Sequence, residues 1–207
     1  MTAAKPYHHG DLRKALIDAA IELLREGGVD ALTLRAAARR AGVSQAAPYR
    51  HFDDHADLLA AVAADGFNRL GRAMMHAAQA PSTSPGGLRA VAHAYVKFGL
   101  RHPAEYRVMF ASQMSASGKS AELDETSKAV FGGLEQSIRA LQQRGLIRPG
   151  DATAVAIGLW AAMHGLVMLI LDEHASVSTS KRKPTVADVE ARVNEVTELL
   201  MYGMAPR

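Results

Sequence analysis

The sequence of 207 residues contains no cysteine, which excludes a disulfide framework, a thiolate metal centre and a cysteine nucleophile. The expected setting is a reducing one, the cytoplasm. Aromatic residues make up only 5% of the chain and no stretch alternates apolar with polar residues over the length of a strand. Alanine-rich helix is therefore expected nearly throughout, an all-α fold. The opening MTAAKPYHHGDLRKAL lacks the apolar core of a secretory signal and is read as part of the folded protein.

Signatures of catalysis are also missing. Paired carboxylates, a nucleophile beside a base and a spaced histidine cluster are not found. His8 and His9 are adjacent, which sends their side chains in different directions, and Asp172-Glu173-His174 reads as a polar helix end. The glycine pairs follow no strand, so a phosphate-cradling loop is not supported. No enzyme activity, metal or cofactor is expected. A net charge of +3 is too small to indicate a nucleic-acid partner by itself. What matters is where the positive charges sit.

Residues 152–171, ATAVAIGLWAAMHGLVMLIL, carry no charge and have about the 20-residue length that crosses a bilayer. Their alanine, glycine and histidine content, with no second such segment, favours a helix buried on both faces inside a bundle. No membrane association is expected.

Apolar residues at helical spacing predict a first helix from about Asp11 to Glu26, ended by Gly27-Gly28. Thr33 can cap a second helix, LRAAARRA, with Arg35, Arg39 and Arg40 outward, and Gly42 suits the left-handed residue that closes it. Ser44 can cap a third helix running to Phe52. Pro48 falls in its first turn, where a missing N–H costs little, so a stiffened rather than a broken helix is expected. Asp53 and Asp54 cap a fourth helix to about Ala78. After a linker at 80–87 come helices at about 87–101, 103–111, 121–144, 152–171 and 186–203, with breaks at 112–120 and 174–185. The Lys-Arg-Lys of the last break reads as a solvated loop.

The short connection Ala41-Gly42-Val43-Ser44 makes the second and third helices a helix-turn-helix. In a DNA reader of this kind the second helix enters the major groove by its N-terminal end. Ser44, Gln45, Ala46 and Ala47 lie there: an amide able to pair with a base edge and small residues that allow close approach or meet a thymine methyl. Tyr49, Arg50 and His51 can reach phosphate oxygens, contacts that hold the register. Arg35, in the first turn of helix two, stands near the expected path of the groove, with Thr33 beside it. Phe52 is expected in the core. The alternative is a helical protein-interaction module or an enzyme whose helix-turn-helix is vestigial.

The stretch LIDAAIELLREGGVDALTLRAAARRAGVSQAAPYRHFDDHADLL, with its AGVS turn and closing Tyr-x-His-Phe, resembles the TetR family of transcriptional regulators. HPAEYRVMF, GLIRPGD and WAAMHGL resemble a C-terminal domain type of that family with a Trp-His-Gly signature, here Trp160, His164 and Gly165. The resemblance implies an N-terminal DNA-binding domain over 1–52 and a ligand-binding and dimerisation domain over 53–207. It implies a homodimer through the last two helices, a double-stranded operator and a small-molecule effector, with repression as the usual output. His55 stands where the family usually has a lysine, so a phosphate contact there would be weaker and pH-sensitive. For the effector site, Phe98, Tyr106, Met109, Phe110, Met163 and His164 on the middle helices are the candidates. Their apolar, methionine-rich character points to an apolar effector.

Overall fold

The computed structural model describes residues 9–79, 86–111, 120–172 and 184–204, and among these are eight α-helices and no strand. The linker expected at 80–87, the breaks at 112–120 and 174–185, and the His8-His9 pair lie wholly or mainly outside the described residues.

Helix α1 (His9–Ala31) buries Leu16, Ile17, Ala20, Ile21 and Leu24, one stripe at spacings of three and four. The break expected at the glycine pair falls on Gly28, whose φ of 71° and ψ of −165° leave the helical region. Helix α2 (Leu34–Arg40) starts where expected: the Thr33 hydroxyl accepts the Ala36 N–H at 3.0 Å. It ends in a Schellman motif. Val43 N–H donates to the Ala38 carbonyl at 3.0 Å and Gly42 N–H to that of Arg39 at 3.2 Å, with Gly42 at φ 69°.

The third helix departs from expectation. Ser44 to Ala47 form a turn closed by the Ala47 N–H on the Ser44 carbonyl at 3.0 Å, and only Pro48–Arg50 is helical, in 3₁₀ form. Counted from Ser44 as the cap, Pro48 is the fourth helical residue, the first whose N–H would donate back to the cap carbonyl. Proline has no N–H, and its ring crowds that carbonyl. The segment is therefore shortened rather than stiffened.

Asp54 caps helix α3 (His55–Ala78) by accepting the Asp57 N–H at 2.9 Å. Helices α4 (Gly86–Arg101), α5 (Pro103–Phe110), α6 (Ala121–Gln143), α7 (Ala152–Leu171) and α8 (Val186–Met204) follow close to their expected bounds. Asp151 caps α7 through the N–H groups of Thr153 and Ala154.

The chain packs into two compact units. Among the described residues, the first takes in the chain to Phe67 together with Ala104–Thr126, and the second takes in Asn68–Pro103 with the chain from Ser127 onward. In the first, Leu16, Leu24, Leu32, Phe52, Leu58 and Val62 are fully buried. Helix α5 joins them closely: a Cβ on Gly66 would lie 2.6 Å from Met109 Sδ, and the Phe67 and Phe110 rings meet edge-on at 5.2 Å. In the second unit Leu88, Ile138, Ile147, Ala152, Ala156, Leu159 and Met204 form the core.

Helix α7 is covered only in part by its own chain, along Ala156, Leu159, Met163, Leu166 and Val167. Ile157, Gly158, Ala161 and Leu169 face outward, so one face of a charge-free helix is uncovered. By length and composition this helix could cross a membrane, and no other described helix could.

Candidate nucleic-acid interface

Pro48 and Phe52 point inward and are buried, which leaves the residues between and before them outside. Ser44, Gln45, Ala46, Tyr49 and Arg50 are exposed, and Ala47 and His51 are partly so. The phenol of Tyr49 is 53% exposed, so it is not the core residue that its ring would suggest. Thr33, Arg35 and His55 are also exposed. The reading segment is thus a short apolar foot under a polar rim. All ten sequence-predicted residues of this site belong to the first unit, and none is fully buried.

The arginines divide by partner. Arg40 reaches Glu22 at 3.1 Å and Glu26 at 2.9 and 2.5 Å. Its hydrogen bond holds the Glu26 carboxyl below the usual carboxylate range. Arg40 therefore ties α1 to α2 as a neutralised group. Among the described residues no ion pair involves Arg35, Arg39 or Arg50. Arg35 and Arg39 stand one turn apart on the exposed side of α2. His51 has its Nε2 buried with no hydrogen-bond partner, beside the Phe52 ring.

The six candidates for an effector site are not gathered in one unit. Tyr106, Met109 and Phe110 are in the first; Phe98, Met163 and His164 are in the second. Tyr106, Met109, Phe98 and Met163 are buried. Phe98 lies under the Arg69 guanidinium at 5.7 Å and beside the His102 ring at 4.9 Å.

His164 belongs to a polar cluster that sequence reading did not assemble. Trp160 Nε1–H donates to the Tyr95 hydroxyl at 3.1 Å, and that hydroxyl stands 3.4 Å from His164 Nδ1. Burial pushes the His164 pKa down, favouring the neutral imidazole, whose Nδ1 can accept a hydrogen bond from the Tyr95 hydroxyl. Tyr95 is the missed member. Its partners lie 65 and 69 residues away, beyond the reach of any local pattern.

Family models match both parts of the chain. Residues 16–62 match the model described as bacterial regulatory proteins, tetR family. Residues 88–192, just over half of the chain, match the model for a tetracyclin repressor-like C-terminal domain. The chain belongs to the TetR family of transcriptional regulators. A structure of a protein with unknown function from Rhodococcus sp. RHA1 is 33% identical, with a TM-score of 0.83 over 98% of this chain and 100% of that one. Two structures at lower identity share the fold. One is a TetR family transcription regulator from Marinobacter aquaeolei VT8, with 20% identity and a TM-score of 0.67 over 95% of this chain and 96% of that one. The other is AibR in complex with isovaleryl coenzyme A and operator DNA, with 20% identity and a TM-score of 0.63 over 89% and 97%. No curated protein matches the chain. As a TetR-family member the protein is a DNA-binding transcriptional regulator built from an N-terminal helix-turn-helix and a helical C-terminal domain.

Proposed function

We propose that this TetR-family protein is a cytoplasmic, non-enzymatic repressor that binds a palindromic operator as a homodimer and releases it when a small apolar molecule occupies the C-terminal domain. The observation that carries the reading is the exposed row Ser44, Gln45, Ala46, Tyr49 and Arg50 standing over buried Pro48 and Phe52. Gln45 and the alanines face the bases. Tyr49 and Arg50, with Thr33, Arg35 and His55, hold the backbone, and His51, whose Nε2 is buried, joins them only through its other ring nitrogen. On this reading the DNA-binding domain takes in 1–52 and the regulatory domain 53–207.

The uncovered face of α7, continued on α8 by exposed Leu199 and Tyr202, supports a dimer through these helices. A two-fold dimer presents two reading segments to successive major grooves, about 34–36 Å apart. An effector that prefers another spacing draws the population off the operator, by no more than its differential affinity for the two states. AibR's complex with isovaleryl coenzyme A and operator DNA supports a small-molecule effector. Of the six candidates, Phe98, Met163 and His164, which share the second unit, are the proposed contacts.

A gel shift against the DNA upstream of the protein's own gene tests the reading. A single retarded species is expected, weakened by Arg35→Ala and by Tyr49→Phe. Retention of full affinity in both variants would displace the site from these residues.

A further inference from the structure

Among the described residues Glu105 is the one carboxylate with no exposure. A carboxylate held out of water requires a paired charge, and Arg25 supplies one: its Nε lies 2.9 Å and a second guanidinium nitrogen 2.7 Å from Glu105 Oε1. Arg25 is on α1, and Glu105 is 80 residues further on, in α5. A second tie repeats the pattern. Arg13, also on α1, meets Glu122 in the first turn of α6 at 2.5 Å. The same Arg13 guanidinium lies 5.6 Å from the centre of the Phe52 ring, and the Phe52 N–H closes the reading turn on the Pro48 carbonyl. The two arginines are about 18 Å apart along the helix, so acids from the 104–126 segment hold α1 at both ends.

The two pairs differ in weight. Arg13 and Glu122 are both more than a third exposed, and a surface pair of that kind contributes little. Glu105 is fully buried and receives two donors, so its geometry is fixed. Yet a buried ion pair is not required for stability, because apolar side chains of similar volume pack as well in its place. What the pair adds is direction: two nitrogens on one oxygen set the angle at which α1 lies on α5.

We propose that Glu105 is a positioning residue for operator recognition: through Arg25 it orients α1, and with it the reading turn that α1 braces. This rests on the reading of Ser44–His51 given above. In consequence α5 belongs to the DNA-reading body, although in sequence it falls inside the regulatory domain.

The test uses the full chain and a duplex selected by the wild-type protein from a random-sequence pool, with a scrambled duplex as control. Affinity for each is read by fluorescence anisotropy and stability by thermal melting. The double variant Arg25→Met/Glu105→Leu removes one charge of each sign, leaving net charge unchanged. It is expected to melt close to the wild type, to lose about tenfold in affinity for the selected duplex and to keep its affinity for the scrambled one. Arg25→Lys keeps the charge but loses the fork. It is read in the same way, with an expected loss of about threefold, whether or not the double variant folds. Selected-duplex affinity that is unchanged in the folded variants, or that falls equally for both duplexes, overturns the role of Glu105 and leaves the operator reading standing. A wild-type protein that enriches no sequence overturns the operator reading, and the inference with it.

Discussion

The N–H of Phe52 donates to the carbonyl of Pro48 at 3.0 Å, while Pro48, having no N–H, returns nothing to Ser44. The far end of the reading segment is closed by an i to i−4 bond, while its near end is closed only by the tighter turn bond from Ala47 N–H to the Ser44 carbonyl. Pro48→Ala supplies the missing donor. It is expected to extend α-helical structure across residues 45–51, visible as helical carbon secondary shifts in NMR. The lost ring, which is buried, should offset the gain in stability. Unchanged shifts would mean that something other than the proline interrupts the helix.

Gly66 and Met109 are in contact with no room between them. A Cβ at 66 would come within 2.6 Å of the sulfur and 2.8 Å of Cγ. Gly66→Ala should therefore destabilise the first unit by about 1–3 kcal/mol, the range for overpacking a filled core. Adding Met109→Ala should recover part of that loss in a double-mutant cycle read by urea denaturation. Strict additivity would show that the two side chains do not share the space.

His164 makes stability depend on pH in a definite direction. Its folded pKa is lowered by burial, so in mildly acidic solution the unfolded chain binds more protons than the folded one. The stabilisation is complete above the ordinary histidine value of about 6.5 and is lost as pH falls from there through the lowered one. The urea midpoint of the wild type should hold steady above about pH 6.5 and drop as pH falls below it, and His164→Gln should flatten that drop. An equal drop in the variant would assign the effect to other groups.

Ile157 and Leu169 lie on the uncovered face of α7, about half exposed. A carboxylate placed there by Ile157→Glu would be desolvated without a partner in a dimer and solvated in a monomer. Light scattering after size exclusion is expected to find a dimer in the wild type and a monomer in the variant. A variant that stays dimeric would place the interface elsewhere.

Much of the fold was legible because helix ends are written locally. Thr33, Asp54 and Asp151 accept N–H groups two or three residues on, and Gly42 takes the conformation that only glycine adopts easily. Pro48 was misread by position: it was counted into the free first turn, when it is the first residue that must donate. How much of α7 its own chain covers was not legible, because an apolar composition does not say whether a helix is covered by its own chain or by a partner. At the reading segment, exposure matched the sequence pattern at Gln45, Arg50 and Phe52. The Arg25–Glu105 and Tyr95–Trp160–His164 contacts were invisible, since their partners are 65 or more residues apart and no local periodicity joins them.

The clamp of Glu22 and Glu26 on Arg40 reaches beyond the packing of α1 on α2. A protein that neutralises phosphates displaces counterions from DNA, and each phosphate adds close to 0.9 to the slope of log affinity against log salt concentration. On the proposed dimer, with Arg40 already paired, Arg35, Arg39 and Arg50 would account for about six phosphates and a slope of about −5, where a free Arg40 would make it about −7. Glu22 and Glu26 would then set, through Arg40, how steeply the grip on DNA declines with ionic strength.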